Sequence, residues 1–194
     1  SGSENRNINR TYPGKADGTL TEMMSYGIVQ LINTENIDVT VDLHEASPEY
    51  PVINALIAHE RAMNLASNVV VDMQMEGVQI SLEPSPTDLR GLTHRELGDH
   101  TDTLALLMEA PNPPRLRDRT DEALVLTGKS ETYVKAGEIG QLYVPYDENG
   151  WPIEVRCARH VFGIERILAN YSEMYEEPII VTGMPSYDEL VKNG

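Results

Sequence analysis

The amino-acid sequence predicts an α/β fold, on three observations. Segments with helical spacing alternate with short strand-like runs, the helix-then-strand order of α/β domains. Two of those runs, residues 37–43 and 103–108, stop on the polar side chains His44 and Glu109, at the strand end where α/β folds gather their ligands. The length of 194 residues, at 40% hydrophobic and 24% charged, suffices for one ordinary domain with its own core.

The elements follow in order. Residues 5–18 are polar and carry Pro13-Gly14 and Asp17-Gly18, so they form a loop. Thr19 with Glu22 has the capping-box spacing, and Leu20, Met23, Met24, Ile28, Leu31 and Ile32 recur at the period of a helix. Residues 37–43 form a buried strand, followed by a loop containing Pro48 and Pro51. Residues 54–75 are expected as one long helix, with Leu56, Leu65, Val69 and Met73 on its apolar side and Gly77 as its stop. Met63, Met73 and Met75 are expected as core filler rather than a binding groove.

Residues 78–82 alternate and predict a strand with one wetter face, 85–91 a turn-rich loop, and 93–97 a short helix. The run 103–108 is a strand that the prolines at 111, 113 and 114 terminate. Beyond it, residues 131–146 predict short strands and turns, 158–174 a helix and 178–182 a late strand. No internal repeat or low-complexity segment interrupts the chain. The expected division is a main α/β domain over residues 1–127 and an extension over 128–194 packed on the same domain.

Charge and cysteine content narrow the function. A formal charge of −16 argues against a nucleic-acid or anionic-membrane surface, and no segment approaches the roughly 20 apolar residues of a membrane span. Cys157 stands alone, which excludes an intrachain disulfide and a thiolate cluster and leaves the compartment open. The opening Ser1-Gly2-Ser3-Glu4-Asn5 lacks the pattern of a signal peptide.

Three islands carry the chemistry. Asn9-Arg10, just before Thr11-Tyr12-Pro13-Gly14, offers a guanidinium fork and a neighbouring amide suited to a carboxylate; a surface arginine is the plain alternative. His44 can give a neutral imidazole to zinc, or serve only structurally. Glu45 beside it points to the opposite side of an extended segment, so it is read as supporting or structural. Glu109, closing an apolar strand, is suited to act as a general base with raised proton affinity; the alternative is an ion pair with Arg90 or Arg95. His94 or His100 could complete a different metal site, since Glu96 and His100 are four apart and could share a helix face, but Gly98 between them weakens a helix there. Tyr133, Tyr143 and Tyr146 are candidates for a cleft or for packing, and Lys129, Lys135 and Lys192 are scattered.

The ordered set of Asn-Arg-x-Tyr-Pro-Gly, a helix, a strand ending Asp42-Leu43-His44 and an apolar strand ending Met108-Glu109-Ala110-Pro111 resembles the zinc carboxypeptidase superfamily, and within it the succinylglutamate desuccinylase/aspartoacylase branch. The resemblance covers residues 5–114 and only loosely the remainder. It implies a three-layer α/β/α fold with a mostly parallel, mixed sheet and ligands at the carboxyl ends of the strands. It also implies that His44 is a zinc ligand, that Asn9 and Arg10 bind the substrate's carboxylate, that Glu109 is the general base and acid, and that Arg6 polarises the scissile carbonyl. The activity implied is hydrolysis of an amide bond next to a free carboxylate, in a peptide C-terminus or an N-acyl amino acid.

One departure stands out. The family's zinc needs a His-x-x-Glu pair upstream of Asn-Arg, whereas only eight residues precede Asn9 and no His-x-x-Glu occurs in the chain. Catalytic zinc takes three protein ligands and a water. The expectation is therefore that the chain is the C-terminal part of a longer enzyme, that its missing N-terminal segment is its partner in the site, and that this part alone is inactive and binds zinc weakly or not at all. The rival expectation is a non-catalytic module that keeps the fold and binds a ligand or partner.

Overall fold

Thr19 begins the first helix, as its spacing to Glu22 predicts. In this computed structural model, which describes residues 7–46, 54–78, 80–111 and 153–193, the Thr19 N–H donates to the Glu22 carboxylate at 2.8 Å and the Glu22 N–H to the Thr19 hydroxyl at 3.4 Å. Two of the N–H groups that a helix start leaves unpaired are thereby satisfied. Helix α1 runs Leu20–Glu35, buries Ser25, Val29 and Ile32, and stops at Asn36 in the left-handed conformation.

Strand β1 spans Val39–Ala46, three residues beyond the predicted end, so His44 and Glu45 belong to the strand rather than to the loop after it. Strand β2, Ala55–Ala58, corrects the expectation of one helix over 54–75. Ala55, Leu56 and Ala58 are fully enclosed in the sheet, and a short, wholly apolar run has no period to separate strand from helix. A 3₁₀ turn at Glu60–Ala62 follows, then helix α2 over Met63–Met75. Met73 is in the core as expected, but Met75 is 80% exposed and fills nothing.

Strand β3 is Ser81–Pro84, helix α3 Thr93–His100 and strand β4 Leu104–Pro111. Helix α4, Ile153–Tyr175, starts five residues earlier than expected. Helix α5, Tyr187–Asn193, was not expected, although Ser186 and Glu189 form its capping pair. Residues 178–182 are not a strand. Their β-branched side chains favour one, but strand propensity is realised through packing against neighbours, and Ile180 is 82% exposed.

The strands form one sheet in the order β1-β4-β2-β3. Leu104 N–H donates to Asp38 O at 2.7 Å at the start of β1 and β4, and His44 faces Glu109 near their ends, so these two run parallel. Ser81 N–H to Asn54 O and Ser85 N–H to Ala58 O make β2 and β3 parallel too. The end of β2 meets the start of β4 through His59 N–H to Ala105 O, which makes that pair antiparallel. The result is the predicted α/β/α class with a mostly parallel, mixed sheet.

The chain divides into two compact units that interleave along the sequence. The first comprises Ser1–Asp42, Ile57–Asn64 and Glu83–Leu107, and the second Leu43–Leu56, Leu65–Leu82 and Met108–Gly194. The first has a core of Ile8, Tyr12, Val29, Ile32, Leu97 and Ala105. In the second, Leu56, Leu65, Val69, Met73, Met108 and Ile167 are buried, and Gly163 of α4 lets that helix approach Met108. The boundary expected after residue 127 lies outside the described residues. No helix among the described residues is long and apolar enough to cross a membrane.

Candidate functional site

In the first unit, Ile8–Arg10 is a 3₁₀ turn capped by the Asn7 side chain, which accepts from the Asn9 N–H at 3.0 Å. The Thr11 hydroxyl ties the turn to α1 through Ser25 Oγ at 2.6 Å. From the other side the Tyr12 N–H donates to Gly91 O at 3.3 Å. Gly91 has φ +84°, and a Cβ there would lie 2.7 Å from the Arg10 carbonyl carbon and oxygen, so this approach requires glycine. Arg10 is exposed, its guanidinium donating to the Asn9 carbonyl. Asn9 is only 4% exposed, and its side-chain oxygen accepts from the Thr93 N–H at 2.6 Å. The Thr93 hydroxyl lies 3.1 Å from the same oxygen and also bonds the Asp42 carboxylate of β1. Burial first, and the Asp42 charge second, push the Tyr12 hydroxyl up to about 12, so it stays protonated. Arg6 lies outside the described residues.

In the second unit, His44 and Glu109 meet near the carboxyl ends of neighbouring parallel strands. His44 Nδ1 is 3.8 Å from Glu109 Oε1, and the side chains are 29% and 15% exposed. That separation is within ion-pair range and too long for a hydrogen bond. Helix α4 holds the β1 side of this pair. Arg156 pairs with Glu45, and His160, one turn later, donates from Nε2 to the His44 carbonyl at 3.1 Å. Glu45 thus has a structural partner, as its place opposite His44 on the strand implied. Buried Arg159 bonds the Asn54 side chain. Burial lowers the proton affinity of His160, with the hydrogen bond to the His44 carbonyl opposing it.

The arginines considered as partners of Glu109 are committed elsewhere. Arg95 makes a two-pronged contact with Glu60 at 2.8 and 2.7 Å and reaches Asp99 at 2.6 Å. Arg90 bonds Asp99 at 2.7 Å and Glu96 at 3.0 Å. His59 joins Asp99 at 3.2 Å, and a side chain at Gly98 would strike its ring. The hydrogen bonds from Arg95 hold the Glu60 carboxyl down at about 2. Burial would raise Asp99, but hydrogen bonds from Arg95, Arg90 and His59 outweigh it and keep Asp99 well below the usual carboxylate range.

Gly98 does sit within a helix, and Glu96 does reach His100 at 3.2 Å. Glu96 also accepts from the Gly91 N–H at 2.9 Å and from Arg90, while His94 bonds Ser85 Oγ at 2.8 Å. This is an internal ion network. Among the described residues no group of three His, Cys, Asp or Glu side chains is placed to hold a metal ion.

No protein-family model matches the chain, and no curated protein matches its sequence. Among solved structures, the product-bound ectoine utilization protein EutE (DoeB) from Ruegeria pomeroyi is similar over 68% of this chain, at 19% identity and a TM-score of 0.40. The chain spans 40% of that protein's chain.

The four expected site residues that are described therefore form two local arrangements: the Asn9-Arg10 turn in the first unit and the His44–Glu109 pair in the second. Sequence reasoning missed Thr93, Arg156 and His160. The last two carry a signal, since a cation and a histidine four apart share a helix face. Thr93 carries none that is local, because its partners are 84 and 51 residues away.

Proposed function

We propose that the chain belongs to a hydrolase that cleaves an amide bond next to a free carboxylate, and that its zinc is held by His44 together with ligands from elsewhere in the protein. The observation that carries the reading is the convergence of His44 and Glu109, at 3.8 Å, near the carboxyl ends of adjacent parallel strands. The described residues do not complete a zinc site by themselves, since three protein ligands are needed and no such cluster is present among them.

The chain's own residues divide the remaining work. The partly buried Glu109 carboxylate takes a proton from the attacking water and hands it to the leaving amine. Exposed Arg10 receives the substrate's carboxylate in a two-pronged contact. Asn9 shapes the turn that presents Arg10, and in this reading its amide nitrogen adds a donor.

In the full-length zinc-loaded protein, assayed with a panel of N-acyl amino acids and C-terminal dipeptides, Glu109→Gln should lower turnover by at least about a hundredfold. Bound zinc, measured by elemental analysis, should be unchanged. Near-normal turnover would remove Glu109 from the mechanism. Failure of the wild-type protein to hydrolyse any member of the panel would favour the non-catalytic binding module.

A further inference from the structure

The first N–H groups of a helix have no partner inside it, and Leu92, at the N-cap of α3, supplies no side-chain acceptor. The acceptor comes from Asn9, 84 residues away in the chain, whose Oδ1 takes the Thr93 N–H at 2.6 Å. An amide nitrogen can only donate, so it cannot face that N–H. The Asn9 carboxamide therefore has one permitted orientation, with its oxygen on Thr93 and its nitrogen turned away. The Thr93 hydroxyl, 3.1 Å from the same oxygen, also bonds the Asp42 carboxylate, so a single side chain links β1, α3 and the turn that carries Arg10.

On the reading that Asn9 and Arg10 receive the substrate's carboxylate, we propose that Thr93 is the positioning residue of that anchor. By occupying the carboxamide oxygen it dedicates Asn9 to donating. An anchor made of an amide N–H₂ and a guanidinium offers donors alone, and an ionised carboxylate offers acceptors alone. A neutral amide at the same place would bring its own N–H groups against those donors and would lack the charge that strengthens such bonds. Thr93 thus sets the preference for an anionic terminus without touching it.

The test titrates the chain with N-acetylglycine and with N-acetylglycinamide, following ¹⁵N–¹H NMR shifts, with far-UV circular dichroism as the fold control. The wild type should prefer the acid by at least about tenfold, a margin of about 1.4 kcal/mol. Thr93→Ser should keep that preference. Thr93→Val, which loses the tether to Asp42, should bind the acid several-fold more weakly. Thr93→Pro also removes the N–H that orients Asn9 while remaining compatible with a first helical position, and it should lose the preference. Asn9→Asp, which keeps an oxygen on Thr93 but replaces the donor with a negative charge, should lose it as well.

A folded Thr93→Pro chain with wild-type preference, or a folded Thr93→Val chain that binds the acid as tightly as the wild type, would overturn the role of Thr93 while leaving the carboxylate anchor standing, provided Arg10→Gln weakens acid binding. If Thr93→Pro does not fold, the acid affinity of Thr93→Val decides. If Arg10→Gln binds the acid as well as the wild type, or the wild type does not distinguish acid from amide, the anchor itself falls.

Discussion

Burial pulls the proton affinity of His160 below the ordinary histidine value, while the His44 carbonyl and the Glu45 charge oppose that pull and Arg159 and His44 add to it. In the unfolded chain the same imidazole takes a proton near pH 6.5. Between the two values the unfolded state binds more protons than the folded one, so this residue's contribution is intact above about pH 6.5 and is lost as the pH falls through the lowered folded value. Between pH 7 and pH 5.5 the urea midpoint should therefore change less favourably in the wild type than in His160→Gln, which keeps a donor for the His44 carbonyl but does not titrate. An equal change in both proteins would remove His160 as a source of the pH dependence. Asn9 shows a related economy at the same scale, because a side chain expected at a substrate is also the cap of α3.

Two glycines show how packing, not propensity, governs a helix once it is inside the fold. Gly27 of α1 has nothing within 4 Å of a built Cβ, whereas the same atom at Gly163 of α4 would collide with the side chain of buried Met108. Gly27→Ala should raise stability by about 0.5–1 kcal/mol through helix propensity. Gly163→Ala should gain nothing or lose stability, because overpacking offsets the same gain; a rise equal to that of Gly27→Ala would refute the close packing. The elements that were legible carry a period or a cap: α1 through Thr19 and Glu22, β1 through the alternation of Ile37, Val39, Val41 and Leu43, and β4 through an apolar run that stops on Glu109. The burial expected of β1 was not met, since Leu43 is 45% exposed and Val39 and Val41 are only partly covered. β2 was not legible, because Ala55-Leu56-Ile57-Ala58 is apolar at every position and its strand state is imposed by the sheet around it. Residues 178–182 erred in the opposite direction, since their strand preference finds no partner among the described residues. At the candidate site, local sequence pointed to His44, Glu109 and the Asn9-Arg10 turn, while Thr93 depended on contacts no window of sequence contains.

At the scale of the whole molecule, a net charge of −16 and an isoelectric point near 4.6 mean that acidification first removes self-repulsion and then the network around α3. Glu60 is held at about 2 by Arg95, against about 4.3 in an unfolded chain, and Asp99 is displaced in the same direction. Their contribution is present above those unfolded values and is lost as the pH falls through the folded ones. Circular dichroism at low protein concentration should show unfolding deepen between about pH 4 and pH 2, and Arg95→Met should shift that transition to higher pH. An unchanged transition would mean that the network does not contribute. The clamp from α4 bears on the order in which the protein is made. His160 and Arg156 lie 116 and 111 residues beyond the groups they hold on β1, which stands first in the strand order of the described residues. At a synthesis rate of roughly ten residues per second, the end of β1 leaves the ribosome about ten seconds before its tether exists. During that interval the strand carrying His44 lacks the hydrogen bond and ion pair that α4 supplies, so the nascent chain, rather than the finished protein, is where this strand is most exposed to mispairing.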